Sequence, residues 1–240
     1  MTKIINSISV FFPAYNEEDN IKESVNSAVK ILQEIAENWE IIVVNDGSTD
    51  KTNEVSESLS KENNRIRVIS HDKNRGYGAS LKTGFYNSKY PWICFMDADG
   101  QFDFSEITKL IEKQKSSNAD LVIGYYLKRK VSFFTILSSK VWELIIFILF
   151  GLKVKDIDCG FKFISKKVID KIDRLESERG AFISSELLIK AKNKGFKFVE
   201  IGVNHFPRKK GEGTGRKIDV IIKSFIDLLK LWKEIKFSKK

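Results

Sequence analysis

Proline is almost missing from this chain, with three residues in 240. No low-complexity tract and no internal repeat interrupts the sequence, which excludes a proline-rich linker protein and a repeat array. Cysteine is scarce as well. Cys94 and Cys159 are too few for a disulfide framework, and Cys94 lies in an apolar run where a small core residue is expected. His71 and His205 stand alone and read as satisfied polar residues; no Cys/His cluster suggests zinc, so a reducing, cytosolic setting is expected. Long apolar runs are lacking too. A membrane span needs roughly 20 apolar residues. The nearest candidate, Val131 to Leu152, is interrupted by Lys140 and Glu143, leaving only Leu144 to Phe150 unbroken. Met1 to Ser7 leads directly into a strand pattern, so no signal peptide is expected.

What is present is a chain that is 42% hydrophobic and carries a net charge of +9. Its length suits one sizeable α/β domain, or one domain with a helical appendage. The charge is unevenly placed. His205 to Lys240 holds eleven Lys or Arg against four acids, or +7, leaving +2 for everything before it. Such an end suits an anionic surface, either nucleic acid or acidic lipid. The sequence carries no nucleic-acid-binding motif, and the acidic strand ends described next argue against that partner.

Apolar periodicity gives strands at Ile8–Phe12, Trp39–Val44, Ile66–Ser70, Trp92–Met96, Asp120–Gly124 and Phe198–Val203. Helices are expected between them: Asn20, as N-cap, to Glu37; Thr52–Lys61; Ala79–Asn87; Phe104–Ser116; and Ser184–Lys194, ended by Gly195. This βαβ alternation predicts a mostly parallel sheet with right-handed crossovers. Ile218–Ile235 reads as an amphipathic helix, with Ile218, Ile221, Ile222, Phe225, Leu228, Leu229, Trp232 and Ile235 on one face and lysines off it. Val131–Leu152 reads as either a buried core helix or a helix lying in a membrane interface. The expected division is residues 1–217 as the α/β domain and 218–240 as a basic C-terminal helix.

Asp97-Ala98-Asp99-Gly100-Gln101 follows the apolar run Trp92 to Met96. Ligands bind where strands leave an open α/β sheet, and alternate residues of an extended chain point the same way. Asp97 and Asp99 can therefore converge. With Gln101 they form an oxygen site suited to Mg²⁺ or Mn²⁺ carrying a phosphorylated substrate. A bare D-x-D is also compatible with a solvated turn. Three further polar loops follow strand patterns: Pro13-Ala14-Tyr15-Asn16-Glu17, Asn45-Asp46-Gly47-Ser48-Thr49-Asp50 and Asn74-Arg75-Gly76-Tyr77-Gly78. The last lacks G-x-G-x-x-G and does not follow the first strand, which argues against a nicotinamide enzyme.

This ordered set resembles a family 2 glycosyltransferase of the GT-A fold. Phe182-Ile183-Ser184-Ser185-Glu186-Leu187-Leu188 and His205-Phe206-Pro207-Arg208, with Gly211, Thr214 and Gly215, resemble the branch of dolichyl-phosphate mannose and glucose synthases and related polyprenyl-phosphate enzymes. The resemblance implies that Pro13, Tyr15 and Glu17 line the nucleotide pocket, that Val44 and Asp46 read the base, and that Arg75 holds the nucleotide-side loop. It places Ala98 and Lys217 on the nucleotide sugar. Asp97 and Asp99, helped by Gln101, would hold Mg²⁺ or Mn²⁺ and the diphosphate, with Arg208 contacting the donor diphosphate or acceptor phosphate. Two positions depart from the pattern. Asn45 stands where an acid is usual, and Tyr125 and Tyr126 stand where an arginine is expected. Lys128 or Arg129, with Lys209, would then supply cations for the acceptor phosphate.

The implied reaction is inverting transfer of a hexose from a GDP-mannose or UDP-glucose type donor to a polyprenyl phosphate. A phosphate acceptor is already anionic, so it needs cations more than a general base. The alternative is a saccharide hydroxyl acceptor, with Asp158 as a possible base. Peripheral attachment to the cytosolic face of a membrane is expected from the two apolar segments and the basic end.

Overall fold

The computed structural model describes residues 3–128, 133–180, 182–208 and 218–237. In chain order the elements are β1 (Ile5–Ala14), α1 (Ile21–Ile35), β2 (Ala36–Asn45), α2 (Thr52–Glu62), β3 (Ile66–Ser70), α3 (Tyr77–Asn87) and β4 (Trp92–Met96). A 3₁₀ turn at Phe104–Glu106 then leads into α4 (Ile107–Ser117) and β5 (Leu121–Tyr126). They are followed by α5 (Phe133–Phe150), β6 (Phe161–Ser165), α6 (Lys166–Lys171), α7 (Phe182–Asn193), β7 (Phe198–Val203) and α8 (Ile218–Phe237).

The strands form one seven-stranded sheet in the order β3-β2-β1-β4-β6-β5-β7. β1 to β4 are parallel, β5 pairs parallel with β7, and only β6 runs antiparallel to its neighbours. The expected mostly parallel sheet is therefore present. The sequence reading did not place β6 and α6; the acidic turn before Phe161 concealed a short strand.

Helices cover both faces, so the central strands are buried on both sides and need not alternate in polarity. Val10 and Phe12 of β1 pack into one core with Val25, Ala28 and Leu32 of α1 and Leu110 of α4. Phe11, between them, joins the opposite core with Leu81 and Phe85 of α3, Phe95 of β4 and Leu187 of α7. Phe11 lies 5.5 Å from Phe95 and 5.1 Å from Phe85, centroid to centroid. Gly84 of α3 allows this approach, because a Cβ there would come 2.3 Å from the Phe11 ring.

Several boundaries differ from expectation. β1 begins at Ile5 because Ile5 and Ser7 pair with Ala36 and Asn38, and α1 consequently stops at Ile35 rather than Glu37. Asn20 does not cap α1 with its side chain; its amide donates instead to Glu17 Oε2 at 2.7 Å. α8 does not present one apolar face. Leu228 and Leu231 pack into the body, while Ile222, Phe225, Ile226 and Leu229 remain exposed. α5 likewise buries Ile146 and exposes Leu137, Val141, Leu144, Phe147 and Ile148. Among the described residues no helix is long and apolar enough to cross a membrane.

Candidate active site

The site is built from loops at the carboxyl ends of β1, β2, β3 and β4. The first two are stitched together. Asn16 N–H donates to Ser48 Oγ (3.0 Å), and Thr49 N–H returns a bond to Asn16 Oδ1 (2.9 Å). Glu17 N–H donates to Thr52 Oγ1 (2.7 Å), and Lys51 N–H to Glu18 Oε2 (2.7 Å). Asn45 accepts from Ser48 N–H and donates to Asn53 and Ser70. An amide at position 45 can donate in this way and a carboxylate could not, which accounts for Asn where an acid was expected.

Asp46 is buried and fully engaged. It accepts from Arg75 N–H (3.0 Å) and Gly76 N–H (2.7 Å), and His71 Nδ1 lies 2.6 Å from Oδ1. His71 Nε2 lies 2.9 Å from Thr83 Oγ1, so both ring nitrogens have partners. The carboxylate thus holds the glycine-flanked loop that opens α3.

Tyr77, in that loop, donates its hydroxyl to Asp97 Oδ1 at 2.9 Å. The other Asp97 oxygen packs on Gly160, where a Cβ would come within 2.0 Å of it. The Asp97 N–H donates to Gly160 O (3.1 Å), so β6 closes the back of the carboxylate. Burial raises the Asp97 carboxyl to about 7, and neighbouring Asp99 adds to the rise. Lys162 of β6 is also fully buried and donates to Cys159 O (2.5 Å). Burial pushes its ammonium down in pKa, opposed by Cys159, Asp158, Asp156 and Asp97. No motif in the sequence singled out Lys162, and the motif that contains Tyr77 gave no sign of its partner; strand pairing and loop closure bring both to Asp97.

Asp99 is more open than Asp97 and accepts from Gln101 N–H at 3.0 Å. Burial raises its pKa, with the Gln101 N–H and Arg208 working against it. Gln101 and Phe206 form a reciprocal pair: Phe206 N–H to Gln101 O (2.8 Å) and Gln101 Nε2 to Phe206 O (2.9 Å). Buried Glu106 accepts both the N–H and the side-chain amide of Asn204. These contacts carry the strap 204–208 across the site. At its end the Arg208 guanidinium pairs with Glu17 and lies 3.8 Å from Asp99 Oδ2. Burial raises the Glu17 carboxyl, while Asn20 and Arg208 oppose the rise.

The expected site residues divide into groups. Glu17, Asp97, Asp99, Gln101 and Arg208 come together at this edge, and Tyr15 lies half-buried in the loop that leaves β1. Pro13 is buried in β1 beneath them. Val44 is fully buried in the core beside α3 and Ala98 in the opposite core, where its carbonyl accepts from Ser24. Asp46 holds the backbone of Arg75 and Gly76. Arg75 is exposed and pairs with Glu178 at 3.0 Å. Gln101 donates its amide nitrogen to Phe206 O and so clamps the strap, while its Oε1 is the atom a metal would take. Lys128 is exposed, whereas Arg129, Lys209 and Lys217 lie outside the described residues.

Among the described residues, no three His, Cys, Asp or Glu side chains form a self-sufficient metal cage. The donor set fits Mg²⁺ or Mn²⁺ in another way. Such ions are held by one or two carboxylates, with substrate phosphates completing the shell. Asp99 and Asp97 supply hard oxygens at the mouth of the sheet, next to a guanidinium suited to phosphate.

A family model described as glycosyl transferase family 2 matches residues 9–173. Two curated relatives are dolichyl-phosphate beta-glucosyltransferases. The protein from Saccharomyces cerevisiae is 30% identical over 82% of this chain and 66% of its own length. The one from Trichomonas vaginalis is 30% identical over 93% and 72%. An undecaprenyl-phosphate 4-deoxy-4-formamido-L-arabinose transferase from Pectobacterium atrosepticum is 29% identical over 86% and 62%. The chain thus spans about two thirds of these relatives. Among solved structures, Mycobacterium tuberculosis glucosyl-3-phosphoglycerate synthase, in complex with Mn²⁺, uridine diphosphate and phosphoglyceric acid, superimposes with a TM-score of 0.70. At 18% identity over 94% of this chain and 77% of that one, it bears on fold alone, and the fold is GT-A.

Proposed function

The chain belongs to glycosyl transferase family 2, and from that premise we propose that it moves a hexose from a nucleotide-diphosphate sugar to a polyprenyl phosphate, inverting the anomeric carbon by direct displacement. The relatives named as glucosyltransferases favour glucose, from a UDP-glucose type donor, over mannose from GDP-mannose. The observation that carries the reading is the meeting of Asp97, Asp99, Glu17 and Arg208 at one sheet edge, with the acid at the start of α7 withdrawn from it. Glu186 is 2% exposed and accepts from Glu176 N–H, Ser177 N–H and Lys190. It is unavailable as a general base, and a phosphate acceptor largely needs none.

The roles of the chain's own groups follow. Asp99 and Asp97 would hold the divalent metal, which when bound neutralises charge building on the leaving diphosphate. Arg208 stabilises the same charge. It pairs with Glu17, and an incoming diphosphate would compete for that guanidinium. Tyr77 fixes one oxygen of Asp97. Tyr15 and the Asn16–Lys51 loops wall the nucleotide side. Lys128, with Arg129 and Lys209, would attract the acceptor phosphate. Asp158 keeps the hydroxyl-acceptor reading open, because it lies next to Asp156, in the turn that runs into Gly160 behind Asp97.

The decisive experiment offers polyprenyl phosphate and a panel of UDP- and GDP-sugars and detects glycolipid by mass. A new hexosyl phospholipid, absent with dephosphorylated polyprenol, is expected. Transfer only to a soluble sugar hydroxyl overturns the acceptor assignment.

A further inference from the structure

Glu186 has a second consequence, through the segment it holds. Its carboxylate takes the N–H groups of Glu176 (2.8 Å) and Ser177 (2.9 Å), and Lys190 at 2.6 Å. Lys190 also donates to Arg174 O (2.6 Å), so both ends of the buried pair grip the chain entering this segment. Residues 176–179 then lie directly on the glycine-flanked loop. Ala79 N–H donates to Glu178 O at 3.0 Å. A Cβ on Gly76 would come 2.6 Å from Arg179 Cα, and one on Gly78 would come 2.6 Å from Ser177 O. The Glu178 side chain pairs with Arg75 (3.0 Å) and Lys82 (2.9 Å). On its far side the loop gives Arg75 and Gly76 N–H to Asp46 and the Tyr77 hydroxyl to Asp97. The loop is therefore gripped between Asp46 and the 176–179 segment, and from it Tyr77 reaches Asp97.

We propose that Glu186 is a positioning residue for the donor site: it fixes residues 176–179 as a buttress that sets the 75–78 loop and, through Tyr77, the aim of Asp97. This rests on the reading of Asp97 as part of a nucleotide-sugar site. Glu186→Gln keeps the volume but turns an amide donor toward one of the two N–H groups, which sit on different carboxylate oxygens, and leaves Lys190 without its counter-charge. A loosened buttress leaves Asp97 correctly aimed in only a fraction of the molecules, and apparent affinity falls by that fraction, so the Kd for UDP or GDP with Mn²⁺ should rise about tenfold. The KM for polyprenyl phosphate should stay unchanged.

The test uses the full chain and two variants. Glu178→Ala removes a pair that is 43% exposed and does not threaten the fold. It should raise the nucleotide Kd about threefold, the size of a partly exposed ion pair. Hydrogen exchange at the Arg75 and Gly76 amides should quicken in both variants and stay unchanged in the β1 strand. Wild-type binding of UDP or GDP tests the donor reading, while the variant-to-wild-type ratio tests the buttress, so the two fail separately. Unchanged exchange at Arg75 and Gly76, or a nucleotide Kd within experimental error of wild type in folded Glu178→Ala, overturns the proposal.

Discussion

Asp99 is the more open of the two strand-end carboxylates, and it accepts from Gln101 N–H. Replacing it with Asn keeps that acceptor and removes one charge from the cation side of the site. Lost electrostatic stabilisation of this kind costs on the order of 3 kcal/mol or more, so Asp99→Asn should cut turnover at least about a hundredfold with an unchanged circular-dichroism spectrum. EDTA should have the same effect on wild type, reversed by Mn²⁺ or Mg²⁺; full activity in EDTA would refute the metal assignment. Gly160 gives a second check on the same pair. A methyl group there would lie 2.0 Å from Asp97 Oδ2. Gly160→Ala should therefore weaken Mn²⁺ binding, read by titration, although position 160 itself contributes no ligand. An unaltered Mn²⁺ isotherm would mean that Asp97 does not need its present orientation.

At the scale of the elements, the central strands carry the stability that holds these loops in register. Phe11 is fully buried and touches Phe85 and Phe95 on the side of the sheet opposite α1. Truncating a buried Phe to Ala typically costs about 3–5 kcal/mol, and urea denaturation of Phe11→Ala should show a loss in that range with little change in m. A loss under about 1 kcal/mol would mean that the Gly84 contact relaxes to fill the space. The parallel strands were legible because two-sided burial leaves near-continuous apolar runs, as in Ile8 to Phe12. The D-x-D pair was legible because it interrupts such a run. β6 was not, because Phe161 to Ile164 is short and carries a lysine in its middle. Lys162 is tolerated there only because Cys159 O and the surrounding acids meet its ammonium, a circumstance local spacing does not encode. The role of Glu186 was hidden for the same reason: its partners at 176 and 177 lie on a separate loop. Asp46 stood out in its polar loop, but its commitment to Arg75 and Gly76 depends on how two loops meet.

The whole molecule presents two apolar helix surfaces on one body. Trp142 of α5 meets Phe225 of α8 edge-on at 5.3 Å, so the two helices adjoin. Ile222, Ile226 and Leu229 are 55%, 54% and 53% exposed, and Ile148 on α5 is 69% exposed. A helix with this arrangement can lie in the headgroup region with its apolar side toward the acyl chains. Exposed lysines at 223, 230, 233 and 236 flank it, and a basic residue near an anionic surface contributes about 1 kcal/mol. Lys223 and Lys230 already pair with Asp227 and Glu176, so the apolar surface should carry much of the attachment. Deleting α8 is a poor test, because Leu228 and Leu231 belong to the core. The triple variant Ile222→Ser, Ile226→Ser and Leu229→Ser changes only outward residues and should melt within a few degrees of wild type. In liposome flotation the wild type should rise with anionic vesicles at low salt, less so with neutral ones, and less again as salt shortens the screening length. The triple variant should remain at the bottom of the gradient while still binding nucleotide sugar. Wild-type protein that stays down with both vesicle types, or a triple variant that floats as well as wild type, means that these surfaces face something other than lipid.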